Sequence, residues 1–357
     1  MLKKPSYLSP SALSLWKASP DEYFLKYLAP GDPPPNVQTQ PMSIGSAFDA
    51  IVKSYLHDCL FGGRDPRFEK QTLFEAQVQP ALRAWAWDNG HYVFEQYKQS
   101  GALADLMLLL GTSSSEPRFE FEIRGVVHGL REGVSENFGE VVLLGKPDVD
   151  FVTKDGVHVI LDFKVNGYMS TASPCGYYLR LRGAGNTNHG MHNKCHPANH
   201  FDVEVNVACA LEDIKKDWAR QLAIYGWLSG EPVGEQFVTI IHQIVCTKNP
   251  GGLPKIRVAE HHNFIRRSFQ QEVFDEACDL WDRVQSGHYF RELSREESDA
   301  RCRNLLQDVA EPVDLAQRLA HADLQFATYV KTKTEAKAKP ETSTPIDLAS
   351  MFKARDS

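Results

Sequence analysis

One stretch of the chain constrains its fold more than any other, residues 141–164 with the sequence VVLLGKPDVDFVTKDGVHVILDFK. It is rich in β-branched residues, which favour strands, and its one break, Lys154-Asp155-Gly156, is typical of a tight turn. We therefore predict a β-hairpin with Asp155 near the centre of its turn. In such a hairpin the numbers of opposite residues sum to about 310.

This register brings acidic side chains together on one patch of the sheet. Asp148 is expected opposite Asp162, and Lys146 opposite Lys164. Because side chains alternate between faces, Asp162 and Lys164 share a face, as do Asp148 and Asp150. Hydrolysis of a phosphodiester needs a divalent cation, a positioned water and neutralisation of charge on the phosphate. Asp148 and Asp162 would hold the metal ion, and Lys164 would orient the water or stabilise charge.

A D-x-K sequence on a strand has an ordinary alternative explanation, a cross-strand ion pair on an exposed hairpin face. Asp162, however, directly follows the apolar run VHVIL at 157–161, which is typical of a buried central strand. A charged pair in a buried strand is costly unless it has a function. The position therefore favours a catalytic pair over a surface pair.

The remaining pattern predicts an α/β protein. Helices are expected at 9–28 (two short ones), 43–60, 69–110 (two), 212–229, up to about 286 and on to about 330, with strands near 119–129, at 236–247 and at 255–264. Residues 165–201 show little periodicity, and 331–345 read as a solvated linker. No run of about 20 apolar residues is present, so no membrane span is predicted.

The order of four short motifs resembles the RecB-like branch of the PD-(D/E)XK nucleases. That family shows G-x-x-x-H on a helix, G-x-x-D and D-x-K on strands, and Q-x-x-x-Y on a later helix. In the same order this chain has GSAFD (45–49), GKPD (145–148), LDFK (161–164) and QLAIY (221–225), and its opening SPSALSLWKASPDEYFLKY also looks like the family's. The resemblance covers roughly residues 7–290, and the four motifs together are far more specific than any one of them.

The resemblance implies a restriction-endonuclease-like core, a central mixed β-sheet flanked by helices, with helical N- and C-terminal elaborations. It implies a helical region at 1–115 that includes the first active-site helix, a nuclease core at 116–290, C-terminal helices at 291–330, and a linker with a terminal peptide at 331–357.

The family's pattern also implies roles for site residues. Gln221 and Tyr225 would line the cleft, although Tyr225 could instead pack its helix on the sheet. The helix histidine of the family is replaced by Asp49, whose oxygen could still bind Mg²⁺ or Mn²⁺ beside Asp148 and Asp162. Relatives with an iron–sulfur cluster carry one N-terminal and three C-terminal cysteines; Ser19 stands at the first position and only Cys278 and Cys302 lie late, so no cluster is expected.

A basic segment is the predicted DNA-binding surface. From Phe163 to Phe201 there is no acidic residue, in a chain whose formal net charge is −7. Cations suit phosphates and aromatic rings suit unpaired bases; the candidates are Arg180, Arg182, Lys194, Tyr177 and Tyr178. The alternative is a loop that lacks acid by chance. A zinc site at His189, His192, Cys195, His196 and His200 matches no firm template and is not favoured.

These observations predict a metal-dependent DNA exonuclease in recombination, repair or phage DNA metabolism. The alternatives are a structure-specific or restriction-like endonuclease and a non-catalytic DNA-binding protein on a nuclease fold.

Seven scattered cysteines and the lack of an apolar leader indicate a cytoplasmic protein. The C-terminal peptide at 346–352, IDLASMF, resembles sliding-clamp-binding peptides and could bind a clamp or a single-strand-binding protein, although it could equally fold back on its own domain. A homo-oligomer is possible.

Overall fold

A computed structural model describes residues 2–30, 38–130, 138–170, 210–230, 237–247, 252–262 and 264–310. The chain divides into two compact units, residues 1–299 and 300–357, and the second is described only as far as residue 310. The predicted DNA-binding residues from Tyr177 to Lys194, the histidine- and cysteine-rich segment, the linker and the C-terminal peptide lie outside the described residues. None of the described helices is long and apolar enough to cross a membrane.

The described residues form ten α-helices and seven strands. The helices are α1 (Pro10–Ala18), α2 (Pro20–Tyr23), α3 (Gln40–Phe61), α4 (Lys70–Gln77), α5 (Arg83–Gln99), α6 (Ala102–Leu110), α7 (Leu211–Ile214), α8 (Lys216–Ser229), α9 (Arg267–Ser286) and α10 (Arg295–Ala310). A π-helical turn, Phe24–Leu28, extends α2, and short 3-10 turns stand at Pro66–Phe68 and Pro80–Leu82. The stretch predicted as two helices at 69–110 is therefore three.

The strands form two sheets. They are β1 (Arg118–Phe119), β2 (Ile123–Leu130), β3 (Phe138–Gly145), β4 (Val149–Val152), β5 (His158–Ser170), β6 (Phe237–Thr247) and β7 (Lys255–His261). Five of them make a mixed sheet in the order β1-β4-β5-β6-β7, in which β5 and β6 are parallel and the other neighbours antiparallel. The strands β2 and β3 pair separately as an antiparallel ribbon. A mixed sheet flanked by helices, with helical elaborations, confirms the predicted fold class.

The predicted hairpin register is confirmed in its second half. Val149 pairs with Leu161 and Asp150 with Ile160, so opposite residue numbers sum to 310 as expected. The first half differs, because the strand ends at Gly145 and β3 pairs with β2 rather than with β5. Pro147 explains the break, since it has no N–H to donate to a continued ladder. The predicted facing of Lys146 and Lys164 is wrong: Lys146 forms an ion pair with Glu120 instead.

Alternation along β5 separates the hydrophobic core from the polar groups. Phe163 packs edge-on against Phe48 of α3, with ring centroids 5.7 Å apart, and also against Tyr97 of α5. The neighbouring Asp162 and Lys164 point to the opposite face, where they contact α8. Strand β5 also continues to Ser170, further than the sequence pattern indicated, because its end pairs with β6. The central strand therefore anchors the core with one face and presents charged groups on the other.

Candidate active site

Four elements deliver acidic side chains to one end of the sheet. Asp49 lies on α3, Glu120 follows β1, Asp148 precedes β4 and Asp162 lies on β5. The carboxylate oxygens of Asp49, Glu120 and Asp148 come within 4.8 Å of one another, close enough to hold a metal ion. Asp148 and Asp162 are joined through the backbone, because the Asp148 N–H donates to Asp162 Oδ1 at 3.4 Å.

Asp162 is the centre of a hydrogen-bonded chain that reaches α8. Its Oδ2 accepts from Gln221 Nε2 at 2.6 Å and from Lys164 Nζ at 3.3 Å. Lys164 Nζ also donates to Gln221 Oε1 at 2.9 Å, and Gln221 Nε2 donates to the Tyr225 hydroxyl at 2.7 Å. The structure thus brings Asp162, Lys164, Gln221 and Tyr225 together, an arrangement that the resemblance implies.

Burial and neighbouring charges shift the pKa values of these groups: those of Asp162, Asp49 and Lys164 are raised, and that of Asp148 is lowered. Burial raises the pKa of Asp162 above its usual value, and the nearby Asp148 carboxylate adds to the effect. Burial also raises the pKa of Asp49, to about 7. For Asp148 burial is outweighed by the ammonium groups of Lys53 and Lys164 and by the Phe163 N–H, which hold its pKa below the usual value. Burial lowers the pKa of Lys164, but Asp162 and Asp148 outweigh it, so the net pKa is raised.

Most of these side chains line an open cleft with a volume of about 360 Å³. Its lining includes Asp49, Asp148, Asp162, Lys164, Lys146, Asn166, Gln77 and Gln221. Gln77 of α4 donates to Asp49 Oδ2 at 3.0 Å, so the helix after α3 also supports the site. Tyr225 is 2% exposed and does not line the cleft. It lies behind Gln221, which is the position of a supporting residue rather than one in contact with a substrate.

Sequence reasoning missed two members of the cluster, Glu120 and Lys53. Glu120 is, within the described residues, the one non-glycine residue in the left-handed region, with φ 52°. Strain of this kind persists where the surroundings over-determine the backbone, commonly at functional sites. Lys53 is 1% exposed, and its ammonium group contacts Asp49 and Asp148 at 2.7 Å each and also contacts Glu120. The four-residue spacing of Asp49 and Lys53 on α3 was the signal that could have found the lysine.

The structure explains why a glycine stands at position 145 of the GKPD motif: there is no room for a side chain. A Cβ atom at Gly145 would lie 2.7 Å from Cδ1 and Cε1 of Tyr225 and 2.9 Å from Cδ1 of Leu228. Both distances are below van der Waals contact, and a tyrosine ring that is wedged between α8 and the sheet has little room to move. The glycine therefore allows the helix to come close enough for Gln221 to reach Asp162.

Replacing Gly145 with alanine should disturb both stability and the site. We expect the free energy of unfolding to fall by about 1–3 kcal/mol, the usual cost of overpacking. We also expect a loss of activity, because Tyr225 must shift and Gln221 depends on it. The measurements are chemical denaturation and the rate of the reaction that the site catalyses. Gly125→Ala is the matched control, because a Cβ there would lie 3.8 Å from Leu228, an ordinary contact; equal effects at the two glycines would contradict the explanation.

Comparison with known proteins gives one family. The model of the PD-(D/E)XK nuclease superfamily matches residues 7–174, a region that contains Asp49, Glu120, Asp148, Asp162 and Lys164. No curated protein matches the chain significantly.

Two solved structures are distantly similar. One is a candidate exonuclease from Eubacterium rectale, with 15% identity, a TM-score of 0.37, and coverage of 79% of this chain and 82% of that one. The other is the protein SSO0001, with 10% identity, a TM-score of 0.24, and coverage of 67% and 74%. At such scores the fold assignment depends on the family match and on the sheet topology.

Proposed function

Because residues 7–174 of this chain belong to the PD-(D/E)XK nuclease superfamily, a family of hydrolytic nucleases that use divalent metals, we propose that the protein is a Mg²⁺- or Mn²⁺-dependent DNA exonuclease. The observation that carries the proposal is the continuous hydrogen-bonded chain from Asp148 through Asp162 to Lys164 and Gln221. It joins three of the sequence motifs in one cleft. We assign the site to Asp49, Asp148, Asp162, Lys164, Gln221 and Tyr225, with Glu120 added.

The donor atoms suit a hard divalent cation. Asp49, Asp148 and Asp162 all line the cleft and all offer carboxylate oxygens, the ligands that Mg²⁺ and Mn²⁺ prefer. These three residues would hold the ion on the cleft side of the acidic cluster. A bound divalent ion supplies a Lewis acid that polarises the attacking water and neutralises charge on the phosphate oxygens.

The remaining groups act on the carboxylates and on the substrate's charge. Lys164 remains protonated, because Asp162 and Asp148 raise its pKa, so it provides a fixed positive charge beside the scissile phosphate. Gln221 holds both Asp162 and Lys164 and so sets the angle between the carboxylate and the ammonium group. Tyr225, which does not line the cleft, holds Gln221 in place because its hydroxyl accepts a hydrogen bond from Gln221 Nε2. A preorganised arrangement of this kind lowers the barrier because it needs no rearrangement during the reaction.

Exonuclease activity is favoured over endonuclease activity by the motif order, which resembles the RecB-like branch. The residue set argues against the third alternative, a non-catalytic DNA-binding protein, because Asp148, Asp162 and Lys164 are all present and form hydrogen bonds with one another or with Gln221. We also propose a role in recombination, repair or phage DNA metabolism in the cytoplasm. DNA binding by Arg180 and its neighbours and binding of a clamp or single-strand-binding protein by 346–352 remain predictions, as does a homo-oligomer.

The test compares DNA with and without ends. End-labelled linear DNA and covalently closed circular DNA are incubated with Mg²⁺ or Mn²⁺ and resolved on denaturing gels, with EDTA as the metal-free control. We expect short products from the ends of the linear DNA while the circle stays intact. Cleavage of the circle would establish the endonuclease alternative instead. If the chain binds but cleaves neither DNA with either metal, the nuclease proposal is wrong and the non-catalytic alternative holds.

A further inference from the structure

The ammonium group of Lys53 stands where a cation would be expected. Its Nζ contacts one carboxylate from each of three separate elements, with 2.7 Å to Asp49 and to Asp148 and a close contact to Glu120. These are the same three carboxylates whose oxygens come close enough to hold a metal ion. A lysine is almost never fully buried without such partners. The inner position of the acidic cluster is thus filled by the protein itself.

The Lys53 side chain is enclosed by the protein. It lies in the middle of α3, its side chain is 1% exposed, and the adjacent positions Val52 and Leu56 are part of the hydrophobic core. The cleft is lined by Asp49, Asp148 and Asp162, whereas its described lining contains neither Lys53 nor Glu120. The ammonium group therefore lies behind the carboxylates of Asp49 and Asp148. An ion that enters from the cleft meets the opposite side of those carboxylates.

The balance of charge fits one divalent ion. Four carboxylates belong to the described site, and three lysines contact them: Asp49, Glu120, Asp148 and Asp162 with Lys53, Lys146 and Lys164. With all four carboxylates ionised, as binding of a cation requires, one negative charge is left over. A single divalent cation together with the single negative charge of a phosphodiester group brings the site to neutrality, whereas a second cation would leave an excess of positive charge in a partly buried place.

We infer that Lys53 is a built-in cation in place of a second metal ion, so that the chain binds one divalent ion in its active site. The inference rests on the proposed function and adds to it. Lys53 is a positioning residue, since it touches the carboxylates and not the substrate. It orients Asp49 and Asp148 toward the cleft, and it removes the repulsion between carboxylates that a second ion would otherwise relieve.

The test counts bound ions without measuring activity. Mn²⁺ binding to the full-length protein, free of DNA, is followed by the paramagnetic resonance of free Mn²⁺ and by titration calorimetry. We expect one ion per wild-type chain. Lys53→Met keeps the length of the side chain and removes its charge, which leaves three carboxylates facing one another. We expect this variant to bind two ions, or to bind its one ion at least about tenfold more tightly, because more uncompensated ligand charge raises affinity.

Two further variants make the result specific. Lys216 of α8 also pairs with a carboxylate, that of Glu272, but it is about half exposed and is not among the residues that line the cleft, so Lys216→Met should still bind one ion with wild-type affinity. Lys53→Met combined with Glu120→Gln removes the ammonium and one carboxylate together, so it should return to one ion. Should Lys53→Met fail to fold, the numbers of Mn²⁺ ions bound by the wild type and by the double variant test the inference instead.

The outcomes separate this inference from the proposed function. Two ions on the wild type, or two on the double variant, would overturn the inference and leave the nuclease proposal standing. An unchanged count and affinity in a folded Lys53→Met variant would reduce Lys53 to a structural ion pair and overturn it as well. A wild-type chain that binds no Mn²⁺ would overturn both.

Discussion

Replacing Asp162 with asparagine should lower the turnover of DNA cleavage by at least about 10³-fold while the chain remains folded. Asp162 lies at the junction of the site, where it accepts hydrogen bonds from Asp148 N, Lys164 and Gln221. Asparagine has the same shape but no charge with which to hold a cation, and its amide group would oppose donors. Single-turnover rates on end-labelled DNA at saturating Mg²⁺ measure the loss, and circular dichroism confirms the fold.

Asp150 provides a matched control for this substitution. It is also 1% exposed and lies on the adjacent strand, but its partners are Arg118, at 2.6 Å, and His158, at 3.2 Å, and it does not line the cleft. Asp150→Asn should therefore cost stability, roughly 1–3 kcal/mol for lost hydrogen bonds to a charged group, and leave turnover within a few-fold of wild type. If Asp162→Asn retained as much activity as Asp150→Asn, Asp162 would not be a metal ligand.

Replacing Lys164 with methionine should lower turnover by about 10²- to 10³-fold. The ammonium group is held by Asp162 and Gln221 and remains positive at neutral pH. Its loss should remove charge stabilisation from the transition state while the carboxylates proposed to bind metal stay in place. We therefore expect turnover to fall much more than Mn²⁺ affinity, which calorimetry would show on the same preparation.

A variant of a second lysine, Lys216, tests whether the fall in turnover is specific to Lys164 or follows from the loss of any positive charge. Lys216 on α8 also pairs with a carboxylate, that of Glu272 at 3.1 Å, but it is about half exposed and distant from the cleft lining. Lys216→Met should cleave DNA at the wild-type rate. A similar loss of turnover in both variants would point to weaker attraction of DNA by the whole protein, not to a specific role of Lys164.

The sequence was most informative where the chain obeys a local geometric rule. The turn at 154–156 and the alternation of side chains were enough to predict the register of β4 and β5 and the meeting of Asp148 with Asp162. Gln221 and Tyr225 were expected at the cleft from the family resemblance; they are four residues apart on one helix, and Gln221 does reach Asp162. Rules of this kind depend on a few neighbouring residues and need no knowledge of the tertiary fold.

The groups that sequence reasoning missed depend on tertiary contacts. Glu120 belongs to no motif, and it reaches the site because a left-handed backbone turns it away from β1 after two strand residues. Lys53 looked like an ordinary helix lysine paired with Asp49 four residues before it, since its burial also depends on the carboxylates of Glu120 and Asp148 from distant parts of the chain. The departure of β3 from the hairpin had a visible cause in Pro147, but its new partner, β2, was not visible in local pattern.

The parallel pairing of β5 with β6 determines how short a working fragment of this chain could be. A fragment that ended at residue 174, where the family match ends, would contain all four acidic residues of the site but neither Gln221 nor β6, the strand that pairs with β5. The central strand β5, whose residues 159–161 and 163 are buried, would become an open sheet edge, a template for association with other chains. Domain trimming for expression or crystallisation must therefore keep α8 and β6, since the proposed site residue Gln221 and the protection of β5 against aggregation come from the same stretch.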